Sequence, residues 1–222
     1  MHIPDGFVSG TVNLATYAVS AGVCAIAVRR ANRTLGEKQV PLLGITAAFI
    51  FAAQMLKFPA GPGVSGHLLG AMLAAALLGP LNACITMAVV LGIQCLMFND
   101  GGLTALGSNL FNMGIVGGIG AYGIFAALRF LLPRTRTGFF AAAAVAAWFS
   151  VVLAAAACAA ELAISGTSPL AVVMPAMVGV HALIGIGEAI ITTAVLSAVL
   201  AVRPDLIGAL SGAGRLAPRG TA

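Results

Sequence analysis

The chain alternates long apolar runs with short polar stretches. Against the roughly 20 residues an α-helix needs to cross a bilayer, about seven runs are candidate spans: 7–28, 41–56, 66–79, 81–98, 113–132, 139–163 and 175–202. The third is short, entered through the Pro- and Gly-rich FPAGPGVSG and left through Gly79-Pro80. It is expected to be a tilted or partial helix pressed against its neighbours. Small residues four apart, at Ala48/Ala52, Gly66/Gly70 and Gly114/Gly118, suit close helix contact in lipid. The pattern predicts an all-α integral membrane protein of about seven transmembrane helices. It forms one domain over 1–203, which includes the segment 1–7, followed by a tail over 204–222.

Composition agrees with this pattern: 60% of residues are hydrophobic and only 8% charged, with mean hydropathy +1.07, where a soluble domain carries about 25% charged residues. The net charge of +5 does not point to nucleic acid, because the basic residues are dispersed and aromatics make up only 6%. Under the seven-span count ten of the eleven basic residues fall on one side: Arg29, Arg30, Arg33, Lys38, Arg129, Arg134, Arg136, Arg203, Arg215 and Arg219. Only Lys57 falls on the other. The positive-inside rule then puts the N-terminus outside and the C-terminal tail in the cytoplasm. Residues 1–10 have no basic n-region and contain Pro4 and Asp5, unlike a signal peptide, so Met1 is expected to persist. Cys24, Cys84, Cys95 and Cys158 lie in apolar stretches without CxxC spacing and read as core thiols.

This topology gathers four polar, Gly-rich stretches at the outer face: MHIPDGF, KFPAGPGVSGH, NDGGLTALGSNLFNMG and ELAISGTSP. Polar backbone at membrane depth survives where it lines a cavity, so these stretches are expected to build one outward pocket. A free amine, the amide nitrogen of residue 2 and Nδ1 of a histidine at residue 2 can close on one ion in fused five- and six-membered rings. Such a nitrogen set suits tetragonal or square-planar Ni(II) or Cu(II). A fourth donor is needed, and after His2 the remaining histidines are His67, which ends the glycine-rich outer loop, and His181.

A metal-bound imidazole normally has a hydrogen-bond partner on its other nitrogen, for which Asp5, Ser65, Asn109 and Asn112 are candidates. His181 and Glu188 share a face of the last span, about two turns apart, too far for a direct bond within one helix. Each is expected to pair with another helix in an intramembrane polar network. A metallohydrolase using His181 with Glu188 as base is an alternative, although H-E-x-x-H is absent from the sequence. A stand-alone metal carrier or channel is another. Neither Lys38 nor Lys57 follows a glycine, so no Walker A loop is present and no nucleotide is expected on this chain.

Four motifs, MHIPDGF, GVSGHLLGA, SNLFNMGIVGG and HALIGIGEA, in order and spanning nearly the whole chain, resemble the CbiM/NikM family. These are substrate-binding subunits of energy-coupling factor transporters for cobalt and nickel. The resemblance implies a non-enzymatic subunit of an ATP-driven importer in the bacterial cytoplasmic membrane, holding Co2+ or Ni2+ as substrate. Its ligands would be the Met1 amine, the His2 amide and imidazole, and His67. It also implies a transmembrane coupling subunit, a pair of ABC-type ATPases and a small accessory membrane subunit as partners, with Ala48 and Ala52 as a candidate coupling contact. The cobalt branch, which supplies cobalamin synthesis, is the closer likeness.

Overall fold

The computed structural model describes residues 1–36, 39–61 and 64–210. Every one of the seven apolar runs falls on a helical segment. In chain order these are α1 (Gly10–Thr34), α2 (Gln39–Met55), α3 (Ala71–Leu78), α4 (Pro80–Phe98), a continuous helix over Leu106–Leu131, α7 (Arg136–Ile164) and α8 (Leu170–Val202). The continuous helix comprises α5 (Leu106–Leu110), a π-helical stretch (Phe111–Gly120) and α6 (Ala121–Leu131). Five of these segments are long and apolar enough to cross a membrane: α1, α4, the continuous helix, α7 and α8. Of the other two, α2 has 17 residues and α3 only 8.

One departure from an all-α fold is a short hairpin, β1 (Phe58–Gly61) against β2 (Val64–Gly66). Pro59 lacks the N–H a helix would need, and pairing the two arms satisfies backbone groups that a helix would otherwise close. Gly66 and Gly70 accordingly do not form a helix-packing stripe. Gly66 ends β2, and Gly70 caps α3 with φ +76°. A Cβ added at Gly70 would lie 2.8 Å from the Ile50 side chain, so the close approach is between a turn and α2. The last helix starts at Leu170, ahead of the expected 175, with Pro175 inside it. Pro175 removes one backbone bond from the helix, near its N-terminal end and on an exposed face.

The core is organised around α3. Residues Ala71–Leu77 are all buried, enclosed by α4, the π-helical stretch and α7. Alanines line the inner face of α7, with Ala142, Ala143, Ala146, Ala147, Ala154 and Ala155 fully buried. Small side chains let helix backbones approach closely in an apolar solvent. Beyond α8, residues 204–210 turn back so that Ile207 and Ala209 join the same core.

The N-terminal helix is seated differently. Its buried positions are Thr16, Ser20, Ala27 and Ala31, a narrow stripe of small groups. Thr16 Oγ1 lies 2.9 Å from Ser108 Oγ, and the Ser20 hydroxyl donates to the Gly107 carbonyl at 2.9 Å. At Gly107 an added Cβ would sit 2.7 Å from Tyr17 Cα. Helix α1 therefore docks on α5 through backbone proximity and hydroxyl bonds, and its Ser9 end delivers the first residues of the chain into the molecule.

Candidate metal centre

The four polar stretches do meet at one place. Gly6, at φ +83°, turns the chain between the buried Ile3 and the start of α1. The Ile3 N–H donates to Asn109 Oδ1 at 2.8 Å. Its carbonyl accepts from Asn109 Nδ2 at 3.1 Å and from the Gly102 N–H at 2.8 Å. Gly102 has to be glycine, because a Cβ there would stand 2.3 Å from the Asp5 nitrogen. Asp5 Oδ1 accepts from the Thr104 N–H at 2.7 Å and hydroxyl at 2.6 Å, which holds the exposed Asp5 carboxyl below its usual range. The Thr167 hydroxyl donates to the Phe7 carbonyl. The 102–104 loop, α5 and the loop after α7 thus clamp residues 3–7.

Clamping the segment brings His2 against His67, with ring centroids 5.0 Å apart and planes tilted by 37°. His67 Nδ1 lies 2.8 Å from the Leu68 carbonyl. A carbonyl only accepts, so Nδ1 carries the proton and Nε2 a lone pair. That Nε2 is buried and has no hydrogen-bond partner among the described residues, an unsatisfied acceptor of the kind that calls for an explanation. His2 Nε2 lies 3.0 Å from Gln94 Oε1. Its Nδ1 is 3.7 Å from Asp100 Oδ1, while Asp100 Oδ2 is 3.3 Å from Lys57 Nζ.

Electrostatics keeps these donors uncharged. Burial, with the nearby Met1 amine second, lowers His2 to about 4, and burial, the amine and then His2 lower His67 to about 3. Burial also lowers the Met1 amine itself from its ordinary value. Neutral imidazoles and a depressed amine are the protonation states a cation requires, because a nitrogen donor must release its proton to ligate. Among the described residues no three His, Cys, Asp or Glu side chains gather closely enough to hold a metal.

The expected supporting residues take other posts. Asn109 holds the Ile3 backbone, Asp5 holds Thr104, and Asn112 Nδ2 donates to Glu161 Oε2 at 2.9 Å. None of the three bonds a histidine ring, and the Ser65 side chain lies outside the described residues. His181 Nδ1 donates within its own helix to the Met177 carbonyl at 2.7 Å, where a partner on another helix was expected. Its ring needs no outside acceptor once the carbonyl four residues back is within reach. Glu188 does reach another segment, its two oxygens accepting from the Leu69 N–H at 2.6 Å and the Gly70 N–H at 2.7 Å. Ala48 and Ala52 are both exposed on α2. Sequence reasoning missed Gln94, Asp100 and the buried Gln54 behind Gln94. The signal available was that two of the three glutamines stand inside apolar runs.

Comparison with known proteins follows the same line. The family model described as CbiM, cobalt uptake substrate-specific transmembrane region, matches residues 2–206. A putative fused nickel transport protein NikMN of Archaeoglobus fulgidus is 42% identical over 98% of this chain and 71% of its own length. A putative metal transport protein of Haloquadratum walsbyi is 40% identical over 93% of both chains. A putative cobalt transport protein CbiM 1 of Methanosphaerula palustris is 35% identical over 69% of this chain and 67% of its own. Among solved structures, that of a truncated transition metal transporter superposes with TM-score 0.81 at 32% identity. It covers 90% of this chain and 99% of the other.

Proposed function

The chain belongs to the CbiM family of cobalt uptake substrate-specific transmembrane proteins, and from that premise we propose that it captures Co2+ or Ni2+ with nitrogen donors at its N-terminus. The ligands are the Met1 amine, the His2 amide nitrogen and Nδ1, and His67 Nε2. The observation that carries the proposal is the meeting of two buried, neutral imidazoles, one with an unpartnered lone pair, beside a buried amine. Four nitrogens from three residues give a compact set for a late first-row divalent ion, and geometry rather than ligand identity sets the choice between cobalt and nickel.

The protein is a multi-pass membrane protein, and in this proposal its histidine end faces outward. The cation then moves inward through an energy-coupling factor importer, in the cobalt case toward cobalamin synthesis. This subunit contributes recognition. A transmembrane coupling subunit, a pair of ABC-type ATPases and a small accessory membrane subunit contribute the motor, and the exposed Ala48/Ala52 face of α2 offers a close-packing contact for the coupling subunit. The hydrolase alternative is disfavoured, because the Glu188 carboxyl is engaged by the Leu69 and Gly70 N–H groups and the H-E-x-x-H pattern is absent from the sequence.

Metal affinity of the purified protein tests the assignment. His67→Asn, or extension of the chain by one residue before Met1, is expected to lower Co2+ or Ni2+ affinity by more than about 100-fold, beyond the usual effect of an outer-shell change. A C-terminal extension should leave it unchanged. Equal affinity in the N- and C-terminally extended forms would remove the amine from the ligand set.

A further inference from the structure

Gln54 and Gln94 are fully buried within α2 and α4. A carboxamide in such a place is costly unless its polar atoms are paired. Gln54 Nε2 lies 2.7 Å from the Leu69 carbonyl, Gln94 Nε2 lies 2.9 Å from Gln54 Oε1, and Gln94 Oε1 lies 3.0 Å from His2 Nε2. One end of this series cannot be reversed. The Leu69 carbonyl only accepts, so Gln54 turns its NH2 toward Leu69 and offers its oxygen to Gln94. Gln94 must then turn its own NH2 toward Gln54 and offer its oxygen to His2. His2 is left to donate from Nε2, which puts its lone pair on Nδ1. The peptide that carries the Leu69 carbonyl is fixed in turn, because its other end, the Gly70 N–H, donates to Glu188 Oε1 at 2.7 Å.

We propose that Gln54 and Gln94 are positioning residues that set the tautomer of His2, keeping the ring proton on Nε2 so that Nδ1 is the nitrogen open to the cation. The proposal rests on the reading of His2 as a ligand. A relay is needed because of what lies on the other side of the ring. Asp100 Oδ1 is 3.7 Å from Nδ1 and would draw the proton there once Nε2 lost its acceptor, closing the nitrogen that a five- and six-membered chelate requires. The relay also links the two imidazoles. It begins at Leu69, two residues after His67, and the neighbouring Leu68 carbonyl accepts from the His67 Nδ1–H. The two rings are thus held in opposite tautomers by one short stretch of backbone. Hydrogen-bond partners behind a ligating histidine normally act in this way, fixing its tautomer and orientation.

The test is the tautomer itself, read on the metal-free full-length protein in detergent with 15N-labelled histidine, by long-range proton–nitrogen correlation spectra. The three rings are assigned with His67→Asn and His181→Asn. Wild-type His2 is expected to carry its proton on Nε2. Gln54→Leu makes no change at any atom bonded to His2, yet it frees Gln94 to invert its amide. The His2 proton should then shift to Nδ1, and affinity for Co2+ or Ni2+ should fall about 10- to 100-fold. Gln94→Leu should do the same. Gln94→Glu keeps an acceptor toward His2 whether or not the new carboxyl carries a proton. It should keep the Nε2 proton and hold affinity within about threefold of wild type. A wild-type His2 protonated on Nδ1 overturns the proposal without any variant. So does an unchanged His2 tautomer in folded Gln54→Leu and Gln94→Leu proteins, and, if those do not fold, a Gln94→Glu protein with the proton on Nδ1. Wild-type protein that binds neither metal while the tautomers behave as stated would sink the metal assignment and leave the relay standing.

Discussion

At the scale of single residues, holding two imidazoles neutral gives stability a definite pH dependence. The unfolded chain takes up protons near the ordinary histidine value of 6.5, whereas the folded rings do so only near about 4 for His2 and about 3 for His67. Between these values the unfolded state binds more protons, so stability of the metal-free protein falls as pH is lowered from about 6.5. The loss is up to about 1.4 kcal/mol per pH unit for each ring, and it stops accumulating below the folded values. The lowered amine adds a slope of the same sign from near its ordinary 8.0. Thermal unfolding in detergent at steps between about pH 7 and pH 5 measures it. A midpoint that falls equally in the His2→Gln/His67→Asn double variant would show that other groups are responsible. Both histidines were legible in the sequence, because a residue-2 histidine and a histidine closing a glycine-rich loop are unusual in so apolar a chain. Gln54 and Gln94 were not, since their roles depend on which helices face one another, and periodicity within one run carries no such information.

At the scale of elements, the decisive piece is the extended stretch between β2 and α3. Its backbone cannot be satisfied by a helix, and no water replaces the missing bonds in an apolar surrounding. Glu188 and Gln54 supply them instead, at the N–H groups of Leu69 and Gly70 and at the Leu69 carbonyl. Glu188→Gln can accept only one of the two N–H groups and turns its NH2 against the other. It should destabilise the protein by about 2 kcal/mol or more and weaken metal binding through a loosened His67. Paired measurements of thermal midpoint and affinity check this, and a variant as stable as wild type would mean that the N–H groups find other acceptors. The seven apolar runs were legible because hydrophobic length survives tertiary context. The hairpin and the π-helical stretch were not. Pro59 and the glycines of FPAGPGVSG announced only that no helix forms, and the glycines of 111–120 do not reveal that a helix there widens to fit its neighbours.

At the scale of the whole molecule, charge predicts the orientation. Arg30 and Arg203 lie around the Leu78–Asn82 turn, at the far end of α3 from His67. With the positive-inside rule this predicts that, in a cysteine-free background, a cysteine at Leu103 is labelled in intact cells by an impermeant reagent and one at Arg134 is protected. The reverse pattern would invert the topology and with it the direction of metal capture. The enclosure of α3 bears on biosynthesis as well. Its eight residues rise about 12 Å, far short of the roughly 30 Å of hydrocarbon a span must cover, so nothing in the segment commits it to the membrane by itself. It enters as a passenger between α2 and α4, and it finds its seat only when the π-helical stretch and α7 have been made and can wall it in. The carboxylate that grips its leading end arrives later still, on α8. A nascent chain released before Glu188 has emerged therefore carries both histidines with the Leu69 and Gly70 N–H groups, just beyond the second one, unheld.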